Sequence, residues 1–358
     1  MAGRLAKLRK LIGDKRLGID ALLVASQENR FYLSGFSGSS GYLVIGQDYA
    51  HLLTDFRYTE QATDQAPGFK VIQHGSPYVK TLQEVLKKAK VRRLGFEKAH
   101  LTYARYEELR DKLAPVELVP TEDLVEKLRA VKDAGEIKAI RTAVQVADRA
   151  FEALLKTLQV GQTEKEVAAE LEYQMRKLGA TAASFSTIAA AGPRSSLPHA
   201  EPTDRKIDFG DFLTLDFGAV VGGYCSDCTR TVVFGRVTKK QREVYDVVLE
   251  AQRAALEAAR PGLKGKELDA VARQVITEAG FGPNFGHGLG HGVGLAVHEG
   301  PSAGQTHEDI LKAGHVITIE PGIYLPGWGG VRIEDMGVIT RTGFDDFTAA
   351  PKELITLN

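Results

Sequence analysis

Apolar residues recur along the chain at two periods. Leu5, Leu8, Leu11 and Leu17 follow the three- and four-residue spacing of a helical face, predicting a helix over 3–17. The run DALLVAS (20–26) is short and apolar, as in a buried strand, and GYLVIG (41–46), AHLLTD (50–55) and FKVIQ (69–73) read as further strands. Helical spacing returns at 77–90 and 102–113. Strands and helices alternating in this way predict a small α/β domain. Near 121–130 the pattern changes. Asp123 and Glu126 favour a helix N-terminus, and a long helix follows over about 133–158. These signals divide the chain into domains 1–124 and 125–358.

The second part carries helical patterns at 163–178, 239–260 and 265–280. Strand-rich stretches separate them: FSTIAAAG (185–192), FLTLDFGAVVGGYCSDCTRTVVFG (212–235), HVITIEPGIYL (315–325) and GVRIEDMGVIT (330–340). Helices mixed with hairpins predict an α+β fold. The chain of 358 residues balances 46 basic against 46 acidic residues, so its formal net charge is zero. No basic block stands out, which argues against nucleic acid as a partner. The N-terminal apolar run is too short for a signal peptide or a membrane span. Only two cysteines occur, so a disulfide framework is excluded and a reducing compartment fits. The expectation is a cytoplasmic, soluble protein with no membrane partner.

Candidate chemistry sits in FGHGLGHGVGLAVHEG (285–300), which holds three of the nine histidines and six glycines. Glycine surrenders the most backbone freedom on folding, so such a run implies a backbone brought close to something, with imidazoles aimed at it. Carboxylates accompany it. In 211–234, Leu213, Leu215 and Phe217 alternate with Thr214, Asp216 and Gly218. Gly222-Gly223 then turns the chain, and the return strand carries Asp227. An even loop would put Asp216 and Asp227 on one face, opposite or diagonal. Two aspartates side by side repel unless a cation lies between them. Glu320 and Glu334 also fall in apolar strand contexts. Taken singly, each carboxylate is an ordinary strand-edge residue. Together with an imidazole they form an oxygen-rich donor set suited to Mn²⁺, with Co²⁺ or Zn²⁺ also able to bind. Four carboxylates balance two divalent ions, which points to a two-metal site.

These residues carry a resemblance. LPHA (197–200), LDFG (215–218), SDCTRT (226–231), HGLGHGVGLAVHE (287–299), and IEPGIY (319–324) with GVRIED (330–335) occur in the order found in the pita-bread metallopeptidases. That group includes methionine aminopeptidase, aminopeptidase P and prolidase. YLSGFSGSSGYLVI and LLTDFRYTEQA resemble the creatinase-like amino domain of the proline-specific members. The resemblance implies an α/β amino domain followed by an α+β pita-bread catalytic domain. It implies that Asp216 chelates one metal, that Asp227 and Glu334 bridge two, and that His291 and Glu320 hold the other. It further implies that Glu320 is the base for a water bridging the metals, and that His199 and His298 steady the tetrahedral intermediate. His287 and His298 would line the substrate pocket, and Arg332 would reach a substrate carboxylate or the groups around it. Relatives are commonly dimers or tetramers. Ala296 and Phe56 depart from the common pattern, but neither removes a ligand.

The function implied is removal of an N-terminal residue from a peptide with proline second, by an Xaa-Pro aminopeptidase. GFSGS and TDFRY favour that over a prolidase limited to dipeptides. A non-catalytic binding protein on the same fold would be expected to lose ligands. His287-Gly-Leu-Gly-His291 is not a zincin helix, because glycine replaces the glutamate and opposes helix formation. Cys225 and Cys228, three apart on a strand, face opposite ways and read as free thiols. The remaining histidines, His51, His74, His100, His307 and His315, read as structural or surface residues.

Overall fold

The computed structural model describes residues 2–358. The chain forms two compact units, Met1–Arg129 and Ala130–Asn358. In the first, strands β1 (Ala21–Val24), β2 (Tyr42–Gly46), β3 (Ala50–Thr54), β4 (Lys70–Gln73), β5 (Arg93–Glu97) and β6 (Glu117–Thr121) form one sheet in the order β4-β3-β2-β1-β5-β6. Only the β1-β2 and β2-β3 pairs are antiparallel. The helices are α1 (Ala2–Ile12), α2 (Gln27–Ser34), α3 (Thr59–Gln65), α4 (Val79–Lys88), α5 (Tyr103–Leu113) and α6 (Glu126–Ala130). Leu82, Leu86 and Leu109 pack on Leu23, Leu53 and Leu94 of the sheet. This is the α/β architecture expected.

Two details differ from the sequence expectation. Helix α1 stops at Ile12, and Leu17 lies in the turn that follows, closed by its N–H to Asp14 O. The unit ends at Arg129 rather than 124, because α6 is tied back to α2: Asn29 Nδ2 donates to Glu126, Arg129 donates to Asn29 Oδ1, and Tyr32 donates to Leu128 O. Strand β5 ends in a buried glutamate, Glu97, whose carboxylate accepts from the backbone N–H groups of Ala25 and Ser26 and from Asn29 Nδ2. It closes the turn into α2, a helix that lacks a long apolar stripe.

The second unit starts with α7 (Ala134–Leu155), whose N-terminus is closed by a reciprocal pair of bonds between Asp133 and Glu136. Each such cap stabilises a helix by about 1 kcal/mol. Helix α8 (Glu164–Lys177) lies beside it, and α9 (Lys239–Ala258) and α10 (Gly265–Glu278) form a second pair. Short strands β7 (Ala182–Ala183), β10 (Ala219–Val221) and β11 (Tyr224–Cys225) pair in the order β11-β10-β7. A four-stranded sheet joins β8 (Ile188–Ala191), β9 (Phe212–Phe217), β12 (Cys228–Phe234) and β20 (Thr356–Leu357) in the order β20-β12-β9-β8. A five-stranded sheet joins β13 (Gly290–Gly292), β14 (Glu299–Ala303), β15 (Val316–Ile319), β18 (Asp335–Ile339) and β19 (Phe344–Asp346) in the order β14-β13-β15-β18-β19. Strands β16 (Gly322–Leu325) and β17 (Gly329–Arg332) form a hairpin. This is the α+β unit expected, and among the described residues no helix is long and apolar enough to cross a membrane.

The two-residue period of β9 and β12 sorts their side chains. Leu213, Leu215, Phe217, Val232 and Phe234 enter a core with Phe151 and Leu154 of α7 and Val167 and Leu171 of α8. Phe212 and Val233 enter the other core, with Val244 and Val248 of α9, Leu268 of α10 and Ile319 of β15. On that second face lie Thr214 and Asp216, paired in register with Thr231 and Thr229. A sheet packed on both sides thus presents its polar residues to the five-stranded sheet.

Phe151 is fully buried, its ring 5.6 Å from that of Phe217. Phe151→Ala should cost about 3–5 kcal/mol by lost burial and a residual cavity, read as a lower urea midpoint; a midpoint unchanged from wild type would show that this layer does not hold the second unit together.

Candidate metal centre

A cavity of about 520 Å³ opens in the second unit, within the roughly 300–1,000 Å³ common for small-molecule sites. His199, Asp216, Asp227, His287, His291, His298, Glu320, Arg332 and Glu334 all line it. The nine candidate site residues therefore come to one place, from five different segments.

Strand geometry brings them there. Asp216 pairs with Thr229, so Asp227, two residues before Thr229, lies on the same face, diagonal to Asp216. Asp227 immediately precedes β12, where Gly218 lets the chains close up: a Cβ at Gly218 would lie 1.9 Å from Ser226 O. Glu320 follows β15, and Glu334 sits between β17 and β18. Thr229 Oγ1 donates to Glu334 Oε2 at 2.7 Å, and Thr318 Oγ1 donates to Glu320 Oε1 at 3.2 Å. The carboxylate oxygens of Asp227 and Glu334 and the imidazole of His291 offer ligand atoms within 4.8 Å of one another. Glu320 Oε1 lies 3.4 Å from His291 Nε2, and Asp227 Oδ2 lies 3.6 Å from it.

The glycines around His291 make room for a neighbouring strand. A Cβ on Gly290 would lie 2.1 Å from Thr318 O. What approaches so closely is the backbone of β15. Glycine there lets β13 press against the strand that leads to Glu320, and so sets His291 beside it.

Hydrogen bonds orient the rings. His291 Nδ1 lies 3.1 Å from Gly292 O. A carbonyl only accepts, so Nδ1 carries the proton and Nε2 faces the carboxylates with its lone pair. Burial holds His291 down to about 4, so the ring is neutral at pH 7, as a ligand must be. His287 follows the same logic. Its Nδ1 donates to Gly288 O, so Nε2 accepts from Tyr324, whose oxygen in turn accepts from Arg332 Nη1. Burial holds His287 down to about 4 as well. The ring of His298 stands 4.3 Å from that of His291.

Arg332 is 3% exposed. Its Nη2 donates to Asp216 Oδ2 at 2.6 Å, its Nε to Thr229 Oγ1, and its Nη1 to Tyr324 and to Pro198 O. These bonds tie the guanidinium to groups that line the cavity, Asp216 and Pro198 among them. Tyr324 and Thr229 were visible in the IEPGIY and SDCTRT segments, but nothing local in the sequence assigns them this work. His307, exposed as expected of a surface residue, is also among the residues that line the cavity. The turn His307 N→Gly304 O and the bond from Lys266 N to His307 O carry it there. Cys225 and Cys228 are buried free thiols, as expected, bonded to different carbonyls.

The electrostatics demand cations. Burial, followed by the charges of Glu334, Asp216 and Glu320, raises Asp227 well above the usual carboxylate range. Burial and the charges of Glu320 and Asp216 do the same to Glu334, and burial pushes Glu320 up to about 8. Asp216 Oδ1 and Glu334 Oε1 are buried with no hydrogen-bond partner among the described residues. Orphaned anionic oxygens around one neutral imidazole nitrogen are a fitting donor set for divalent ions.

The description "Metallopeptidase family M24" matches residues 138–341. The chain belongs to this family. "Creatinase/Prolidase N-terminal domain" matches residues 4–131, so the α/β unit is a creatinase-type amino domain before a pita-bread catalytic domain. This M24 peptidase is 42% identical over 358 residues to a protein of Pyrococcus furiosus named Xaa-Pro dipeptidase, covering 99% of this chain and 100% of that one. It resembles a solved Xaa-Pro dipeptidase from Bacillus anthracis with TM-score 0.97 and 44% identity, covering 99% of each chain. A solved X-Pro aminopeptidase from Thermotoga maritima superimposes with TM-score 0.90 and 38% identity, covering 96% of this chain and 99% of that one. The chain is thus an enzyme, a divalent-metal peptidase. The names of its relatives favour the dipeptidase alternative over the aminopeptidase first expected. GFSGSSG, which contains one of the two segments behind that expectation, is a loop whose carbonyls at Gly38 and Gly41 accept from buried Arg30.

The metal-free enzyme should lose stability as pH rises. A carboxyl raised by folding, like Glu320 at about 8 against 4.5, favours the folded state while protonated, and that contribution is lost as pH climbs through the folded value. The lowered histidines act oppositely, but only between about 4 and 6.5. Between pH 6.5 and about 8 the carboxyl effect stands alone. The melting temperature of the chelated protein should fall across that window and hold steady with divalent ions present; a flat chelated profile would refute the raised carboxyls.

Proposed function

We propose that this M24 peptidase is an Xaa-Pro dipeptidase, hydrolysing the bond between an N-terminal residue and a C-terminal proline, with Mn²⁺ as its metal. The observation that carries this reading is full-length likeness, at 42% and 44% identity, to proteins named Xaa-Pro dipeptidase. A cavity of small-peptide size supports it.

Asp216, Asp227, His291, Glu320 and Glu334 would hold two divalent ions. Bound there, the ions supply Lewis acidity and a water acidified toward neutral pH. Glu320 takes the proton from the attacking water and passes it to the departing proline nitrogen. Thr318 holds Glu320 through Oε1. His199 and His298 donate to the oxygen that gains negative charge. Arg332 neutralises Asp216 and ties it to Tyr324 and His287, so that carboxylate is set before substrate arrives. Proline lacks an N–H and has a fixed φ, and its rigid ring enters a shaped pocket with little entropy left to lose.

The rival is the aminopeptidase reading, favoured by the likeness to the Thermotoga maritima protein. Hydrolysis of Ala-Pro and Ala-Pro-Ala, each with Mn²⁺ and with chelator, separates the two. Mn²⁺-dependent cleavage of Ala-Pro alone is expected; cleavage of the tripeptide would make the enzyme an aminopeptidase. Glu320→Gln should lower kcat for Ala-Pro at least about 100-fold with an unchanged circular dichroism spectrum, and near-normal turnover would remove Glu320 as the base.

A further inference from the structure

We infer that Glu164 is a positioning residue for the reaction: buried at the start of α8, it clamps the segment 192–202 and so sets His199 at the cavity. This rests on the role given to His199 above, and not on the length of the peptide that is cut.

The segment has little else to shape it. After a 3₁₀ turn at Gly192–Ser196, residues 197–202 belong to no helix or strand, and Pro198 and Pro202 supply no N–H. Yet Pro198, His199, Ala200, Glu201 and Pro202 all line the cavity. His199 is exposed there, so few packing contacts fix its ring and its place follows the backbone. An oxygen that gains charge is stabilised by donors already aimed at it, about 3 Å away.

The carboxylate of Glu164 meets that need. Its side chain is 0% exposed and is paired with Arg194. Oε1 accepts from Ala191 N at 2.8 Å and from Arg194 Nε at 3.1 Å. Oε2 accepts from Thr203 N at 2.9 Å, from Thr203 Oγ1 at 2.6 Å and from Arg194 Nε at 3.0 Å. One carboxylate thereby ties the residue before the segment to the residue after it. Arg194 extends the grip along the segment, its Nη2 donating to Glu201 O at 2.6 Å. On the other side, Ser195 Oγ accepts from Gly330 N, and Pro198 O accepts from Arg332. The loop is held at its base by Glu164 and farther along by the β16–β17 hairpin.

Stability alone does not account for this arrangement. A buried ion pair often stabilises a fold no more than apolar side chains of the same volume, because both charges lose water. Charge-assisted bonds supply direction as well as strength, and here donors from Ala191, Arg194 and Thr203 converge on two oxygens. A displacement of about 1 Å at a reacting centre can cost about 100-fold in rate, so a clamp remote from the chemistry acts on kcat.

The test is steady-state kinetics of the Mn²⁺-loaded enzyme on Ala-Pro, run as a cycle with His199. Glu164→Gln keeps the shape of the side chain but sets an NH₂ group against donors. It should lower kcat about 10-fold, with KM for Ala-Pro and the calorimetric Mn²⁺ affinity each within about 2-fold of wild type. In a His199→Ala background the same change should lower kcat by less than about 2-fold, because the ring that it positions is gone. Thr203→Val is the milder cut, for use should Glu164→Gln not fold. It should lower kcat about 5-fold, and Thr203→Ser should restore it. A folded Glu164→Gln with unchanged kcat, an unchanged Thr203→Val, or an equal loss with and without His199 would overturn the inference. His199→Ala with wild-type kcat would overturn it together with the role of His199. Wild-type enzyme that cleaves Ala-Pro-Ala but not Ala-Pro would overturn the dipeptidase reading alone, and the same cycle on the tripeptide would still decide the inference.

Discussion

Like charges buried together are the constraint on which the catalytic unit is built. Asp216, Asp227, Glu320 and Glu334 line one cavity, and the last three are pushed toward the protonated state by burial and by neighbouring carboxylates, Asp216 among them. No fold collects such groups for stability, because each buried carboxylate without a counter-charge weakens the native state. Arg332 offsets one of them at Asp216. The rest of the unit must be stable enough to carry the remainder until cations arrive. Two helix pairs packed on either side of a sheet supply that stability.

Rigidity then becomes as important as stability. A further buried network stands behind Glu334. Arg230 donates to the carbonyl of Glu334 and to Asp335, while Gln252 and Lys352 hold the other oxygen of Asp335. The backbone on which Glu334 rides is thereby pinned from behind, while Thr229 grips its carboxylate from the side. On the opposite wall, the contact of Gly290 with Thr318 O fixes β13 on β15, so His291 and Glu320 share one rigid platform. Ligands held this way approach a metal without reorganising, which is the general requirement for tight and selective coordination.

Much of this was legible in the sequence because it follows from local periodicity. The alternation in 212–217 and the Gly222-Gly223 turn put Asp216 and Asp227 on one face provided the connecting loop was even, and the pairing of Asp216 with Thr229 meets that condition. The long helices declared themselves by apolar stripes. Helices α2 and α3 and strands β5 and β6 were not foreseen, since they are short and part of their stabilisation comes from distant partners such as Glu97 with Asn29. The end of the amino unit moved for the same reason, through Arg129 and Asn29. The partners of Arg332 and the place of His307 depend on contacts between segments far apart in the chain. The glycine run marked a close approach, but a sequence does not say which strand lies alongside, here β15 against Gly290.

The central claim is that five side chains converge on two divalent ions. Crystals of the protein grown with Mn²⁺ test it most directly, through anomalous diffraction at the manganese edge. The expected result is two peaks, both coordinated within the set Asp216, Asp227, His291, Glu320 and Glu334. Peaks elsewhere in the chain, or none in this cavity, would contradict it.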